Sequence, residues 1–104
     1  MEELKLALKV DEKDNVATIF ANGITDGTKV VIRDQKGTSC ETEVIGDVPY
    51  GHKIAVCPIR KGESVIKYGE SIGAASADIQ EREYVHVHNM EAMRGRGDLK
   101  GGEK

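Results

Sequence analysis

The sequence predicts an all-β domain of short strands. Three observations carry that prediction. Residues 4–10 alternate leucine or valine with lysine and alanine at period 2, the spacing of a strand with one buried face. A short pattern recurs three times, each copy an isoleucine, three polar or turn residues, and a valine six places on: 24–30, 59–65 and 79–85. No stretch carries a 3.6-residue apolar stripe over three turns.

The elements follow in order. Leu4, Leu6, Leu8 and Val10 form the apolar side of the first strand, and residues 11–15 are a polar turn. Further strands are expected at 15–20 (NVATIF), 29–33 (KVVIR) and 38–45, with the turn 34–37 before the last of these. A loop at 46–51 leads into 52–59, where Pro58 marks a strand end or an edge because it donates no ladder hydrogen bond. Strands at 64–68, 71–75 and 83–88 complete the set, and a short helix has room at 90–94. In the first two repeats the fourth position is Gly27 or Gly62, which adopts positive φ cheaply. The third copy holds Arg82 there, so that turn must differ or carry strain. Unequal spacing of the copies argues against a solenoid.

At 104 residues the chain fits one domain, divided as a folded part, 1–89, and a charged, glycine-rich tail, 90–104, expected to be mobile until it meets a partner. A net charge of −3 gives no reason to expect nucleic-acid binding. No apolar run approaches the roughly 20 residues that span a bilayer, and the start lacks the layout of a signal peptide. A soluble, cytoplasmic protein is expected. Cys40 and Cys57 fit no zinc pattern and are expected to be reduced and partly buried. With one Phe, three Tyr and no Trp, the chain has few side chains to enclose a pocket, which points to a site shared with another chain.

All three histidines fall in two stretches, 49–53 (PYGHK) and 85–89 (VHVHN). On a continuous strand His86 and His88 project together, with Val85 and Val87 toward the core. Two imidazoles so placed can share a metal or flank an anion, and equally can be a solvated strand face. His52 follows Gly51, which would let a ligand approach the backbone. Asn89 suits a sugar hydroxyl or carboxylate, or else ends the strand in a turn. Arg94 and Arg96 can fork onto carboxylates or form part of a solvated tail.

Together, the stretches DNVA (14–17), VPYGHKIA (48–55), VIKYGESIG (65–73), ADI (77–79), VHVHN (85–89) and RGRGDL (94–99) resemble the SAF domain of the altronate and galactarate dehydratases. That includes the form in which the domain is a separate small subunit. The resemblance implies a β-clip fold. It implies dehydration of a sugar acid to a 2-keto-3-deoxy acid, with a divalent metal, iron(II) or manganese(II), and a much larger catalytic body as partner. His52, His86 and His88 become candidate catalytic residues, with His86 and His88 also candidate metal ligands. Lys53, Asn89, Arg94 and Arg96 become candidates for holding substrate. The chemistry suits them. An α-proton beside a carboxylate is removed only if an enediolate is stabilised, and a β-hydroxyl leaves readily once an imidazolium protonates it. The related sulfolactate sulfo-lyase uses a similar subunit to eliminate sulfite. A contrasting expectation is a non-catalytic SAF module that binds carbohydrate or protein, which has no need of the histidine set.

Overall fold

The computed structural model describes residues 5–92, and among them there is no helix. Nine strands form two sheets. β1 (Leu6–Lys9), β2 (Val16–Ile19), β3 (Lys29–Asp34), β4 (Ser39–Glu43), β5 (Lys53–Ala55) and β8 (Tyr84–Val85) make a six-stranded sheet in the order β4-β3-β1-β2-β5-β8. β6 (Ser64–Lys67), β7 (Glu70–Ala75) and β9 (Met90–Ala92) make a three-stranded one in the order β6-β7-β9. Only the β1–β3 pair is parallel among these ladders. The all-β expectation holds.

The two cores lie on opposite faces of one sheet. Neighbouring residues on a strand point to opposite sides. Ala17, Ile19 and Ile54 enter a cluster with Ala7, Ile24, Val30, Val44 and Val48, against which Tyr84 packs. Val16, Ala55 and Val85 enter a second cluster with Ile59, Val65, Ala75, Ile79 and Met90. All four residues of β2 are therefore buried.

The repeated pattern builds three alike corners. Ile24, Ile59 and Ile79 are buried, as are Val30, Val65 and Val85. In each corner an i→i+3 hydrogen bond closes the turn: Thr28 N–H to Thr25 O, Glu63 N–H to Arg60 O, and Glu83 N–H to Gln80 O. The fourth positions share one backbone conformation, with φ of +87° at Gly27, +92° at Gly62 and +81° at Arg82. The strain expected of the third turn is present: Arg82 holds a conformation that L-residues with a Cβ adopt at a cost.

Asp14 and Asn15 fasten the small sheet to the large one. Asn15 Nδ2 donates to Ser64 O at 2.8 Å and Asn15 Oδ1 accepts from Ile66 N–H at 2.7 Å. Asp14 Oδ1 accepts from Gly69 N–H at 2.8 Å. The side chains thus continue the hydrogen bonding past the end of β2.

Four expectations are corrected. The leucine side of β1 is only half-buried, while Ala7 is fully buried. Ala7 faces the first core because its register partners Ile19 and Ile32 supply the bulk there. Cys40 and Cys57 are free and exposed, on the edge strand β4 and in the bend after β5. The folded part runs past residue 89: residues 90–92 form β9, a strand and not the start of a helix. Gly73 makes room for it, since a Cβ there would run into the Glu91 carbonyl. The strand expected over 83–88 stops at Val85, with consequences for the site below. The rest of the tail lies outside the described residues.

Candidate functional site

β5 and β8 run antiparallel, with Lys53 opposite Val85 and Ile54 opposite Tyr84. One step beyond the last rung, His52 and His86 meet with ring centroids 4.6 Å apart. Alternation puts His52, Ile54, Tyr84 and His86 on one face of the sheet. His52 leaves a tight turn, in which His52 N–H donates to Pro49 O and Gly51 holds φ +84°. That φ accounts for the glycine, because a Cβ at Gly51 would meet nothing within 4 Å.

After His86 the chain turns instead of extending. Asn89 N–H donates to His86 O at 3.0 Å. The Asn89 side chain, 3% exposed, is used inside this turn: Oδ1 accepts from His86 N–H at 3.0 Å and Nδ2 donates to Tyr84 O at 2.9 Å. Of the two readings of Asn89, its hydrogen bonds match the turn. Val87 is 73% exposed, so the expectation that it faces the core with Val85 is overturned. The physical reason is local. Asn89 offers the backbone a turn that competes with the ladder, and the β-branched valines gave no warning of it.

Tyr84 organises the cluster. Its hydroxyl is 2.8 Å from His52 Nδ1. Its ring stacks on His86, 8° from parallel at 5.7 Å, and meets His88 at 5.3 Å. All three histidines are therefore brought together, although His88 arrives through the turn and not through strand alternation. Sequence reasoning passed over Tyr84. The signal was available, since Tyr84 and His86 are two apart on a strand and share a face.

Burial holds His86 below the ordinary imidazole value, and the charges of His52, Lys53 and His88 act the same way. Near neutral pH it is an uncharged imidazole. Burial pushes the Tyr84 phenol up, so it keeps its proton. Lys53 stands on the opposite face, across from Val85, and its ammonium is held down by burial and then by Lys67. Among the described residues it makes no hydrogen bond to the histidines. Arg94 and Arg96 lie outside the described residues. No group of three or more His, Cys, Asp or Glu among the described residues is placed to hold a metal ion. The donors in hand do not fit a metal site by themselves.

Exposed aromatic surface borders the histidines. Phe20 and Tyr50 meet edge-to-face at 6.0 Å. Ile19 N–H and Gly51 N–H, beside them in the chain, bond to His52 O and Ile19 O.

This β-only scaffold, with its turn-borne histidines, matches the family model for the altronate/galactarate dehydratase SAF domain over residues 5–93, and the chain belongs to that family. It is similar to altronate dehydratase of Escherichia coli (strain K12), 43% identical over 82 residues, and to that of Bacillus subtilis (strain 168), 37% identical over 92. These matches cover 79% and 83% of this chain but only 15% and 16% of those enzymes. It is also similar to (2R)-sulfolactate sulfo-lyase subunit alpha of Chromohalobacter salexigens, 35% identical over 86 residues, covering 81% of this chain and 90% of that protein. No described helix is long and apolar enough to cross a membrane.

Proposed function

We propose that the chain is the small subunit of a hydro-lyase that dehydrates a sugar acid such as altronate or galactarate to a 2-keto-3-deoxy acid. The single observation that supports it best is the gathering of His52, His86 and His88 around Tyr84 at an open end of the sheet. The relatives support elimination chemistry by their names, and the likeness to nearly the whole of a sulfo-lyase subunit alpha supports a partner subunit that carries the larger catalytic body.

Within this reading the cluster forms one wall of a shared site. His86, uncharged and half-buried, can accept a proton, and a histidine once protonated can hand it to a departing hydroxyl. His88 is more exposed than His86. A divalent metal, iron(II) or manganese(II), belongs to the assembled enzyme in this proposal, with ligands to come from outside this chain. A second reading has one observation in its favour. The chain spans 90% of a sulfo-lyase subunit alpha, so sulfite could be the leaving group in place of water.

The test is an assay of the purified chain with altronate, galactarate and sulfolactate, supplied with iron(II) or manganese(II). It is run alone and with a large dehydratase subunit added. Turnover by the pair and none by the chain alone is expected. Robust turnover without a second polypeptide would overturn the proposal, and the preferred substrate separates the two readings.

A further inference from the structure

We propose that Tyr84 is a positioning residue that fixes His52 as an Nε2–H donor, and that this N–H seats a carboxylate oxygen of the substrate. The second half rests on the lyase reading; the first rests on geometry alone.

The geometry is a hydroxyl 2.8 Å from an imidazole nitrogen, Tyr84 Oη to His52 Nδ1. Two arrangements of hydrogen fit that distance. A phenol is a good donor and a poor acceptor, while an unprotonated imidazole nitrogen is a good acceptor. Among the described residues the phenol oxygen has no other hydrogen-bond partner. The phenol therefore donates, Nδ1 accepts, and the neutral ring carries its hydrogen on Nε2. If the ring gains a proton, Nδ1–H turns to the phenol oxygen and Nε2–H remains. In both charge states His52 offers an N–H on its far side. Such a nitrogen attracts an oxygen anion and has no lone pair for a metal.

His86, 4.6 Å away, is the complement. No hydrogen bond among the described residues engages its ring nitrogens; its neighbours are rings, and its own bond is made by the backbone. A neutral imidazole of that kind has a lone pair to offer. The adjacent rings thus hold different tasks, one donating and one accepting. A substrate with a carboxylate next to an acidic C–H needs that pair: a donor at the oxygen where charge develops, and an acceptor for the proton.

The test has two parts. In the first, long-range 1H–15N correlation spectra of the 104-residue chain identify the tautomer of each histidine. Neutral His52 is expected as Nε2–H, and Tyr84→Phe, which retains the ring and its packing, is expected to relax it to a mixture. An Nδ1–H form in the unaltered chain overturns the positioning role, whatever the reaction. In the second, steady-state kinetics of the assembled enzyme compare Tyr84→Phe, His52→Gln and His52→Ala. Loss of a hydrogen bond to a charged group weakens binding about tenfold or more, so His52→Ala should raise KM by that factor. His52→Gln, which keeps an N–H, should raise it less. Tyr84→Phe should raise KM more than it lowers kcat. A fall in kcat with KM unchanged in all three overturns the carboxylate seat. If the assembled protein shows no lyase activity, the seat falls with that reading and the tautomer result still stands on its own.

Discussion

The imidazoles of His52 and His86 face one another 4.6 Å apart, one step past the last rung of the β5–β8 ladder. Two like groups so close cannot both take a proton easily, and His86 is the one held below its ordinary value, first by burial and then by His52, Lys53 and His88. In the unfolded chain the same residue titrates near the ordinary imidazole value of about 6.5. As pH falls through that value the unfolded state takes up a proton that the native state resists, so stability is full above it and declines below. Thermal unfolding of the chain between about pH 7.5 and about pH 5.5 should show a falling midpoint. His86→Gln should flatten that fall. Identical pH profiles for the two proteins would contradict the shift.

The turn after His86 predicts a contrast between two valines. Val85 is fully buried in the second core, and Val85→Ala should lower stability by about 1.5–3 kcal/mol. Val87 is exposed, and Val87→Ala should stay within about 0.5 kcal/mol. Urea unfolding of both variants measures this. Equal losses would mean that the strand continues to His88.

Asn89→Ala removes the acceptor for His86 N–H and the donor to Tyr84 O together. A loss of about 1–3 kcal/mol is expected, as for a buried polar group left without its partner. Asn89→Asp, which keeps an acceptor, should cost less. Denaturant melts and the imidazole NMR signals of His86 and His88 report the two consequences. A variant with unchanged melting and unmoved histidine signals would show that the turn stands without Asn89.

Arg82 offers a gain. Its φ of +81° costs a residue with a Cβ roughly 1–2 kcal/mol, while a glycine there loses part of that gain as chain entropy. Its side chain contributes one long hydrogen bond, Nη1 to Glu43 O at 3.4 Å. Arg82→Gly should therefore raise stability by about 0.5–1 kcal/mol, and Gly62→Ala, in the equivalent corner, should lower it by about 1–2 kcal/mol. A calorimetric melt of each decides. Loss of stability in Arg82→Gly would assign the arginine side chain a larger structural part.

Much of this architecture was legible before any coordinates. Turn residues and β-branched runs locate eight of the nine strands, and the recurring Ile–Val spacing finds three corners that share a backbone conformation. What escaped had physical causes. β2 is buried on both faces, so it has no period-2 contrast and could not disclose two cores. β9 is three residues long and depends on the missing side chain of Gly73, a distant position. At the site, the sequence marks the three histidines as candidates, and the structure gathers them around Tyr84. Their geometry was not legible, because a side-chain amide four residues beyond the strand end redirects the backbone. Tyr84 was overlooked because its hydroxyl acts across the sheet, at His52 just before β5, 32 positions earlier in the chain.

The interleaving of two cores on β2 and β5 also decides where this domain can change length. Deleting or inserting one residue within Lys53–Ala55 would send Ile54 and Ala55 to each other's core, and would shift His52 off the face it shares with Tyr84. No local rearrangement absorbs that exchange. At the other end of the sheet, Gln35, Lys36 and Gly37 cap the β3–β4 hairpin in water, and extra residues there disturb only the turn's own bonds to Asp34 and an exposed Lys36–Glu12 ion pair. Relatives should therefore differ in length at that arm and hold a fixed count of residues between β2 and the histidine end.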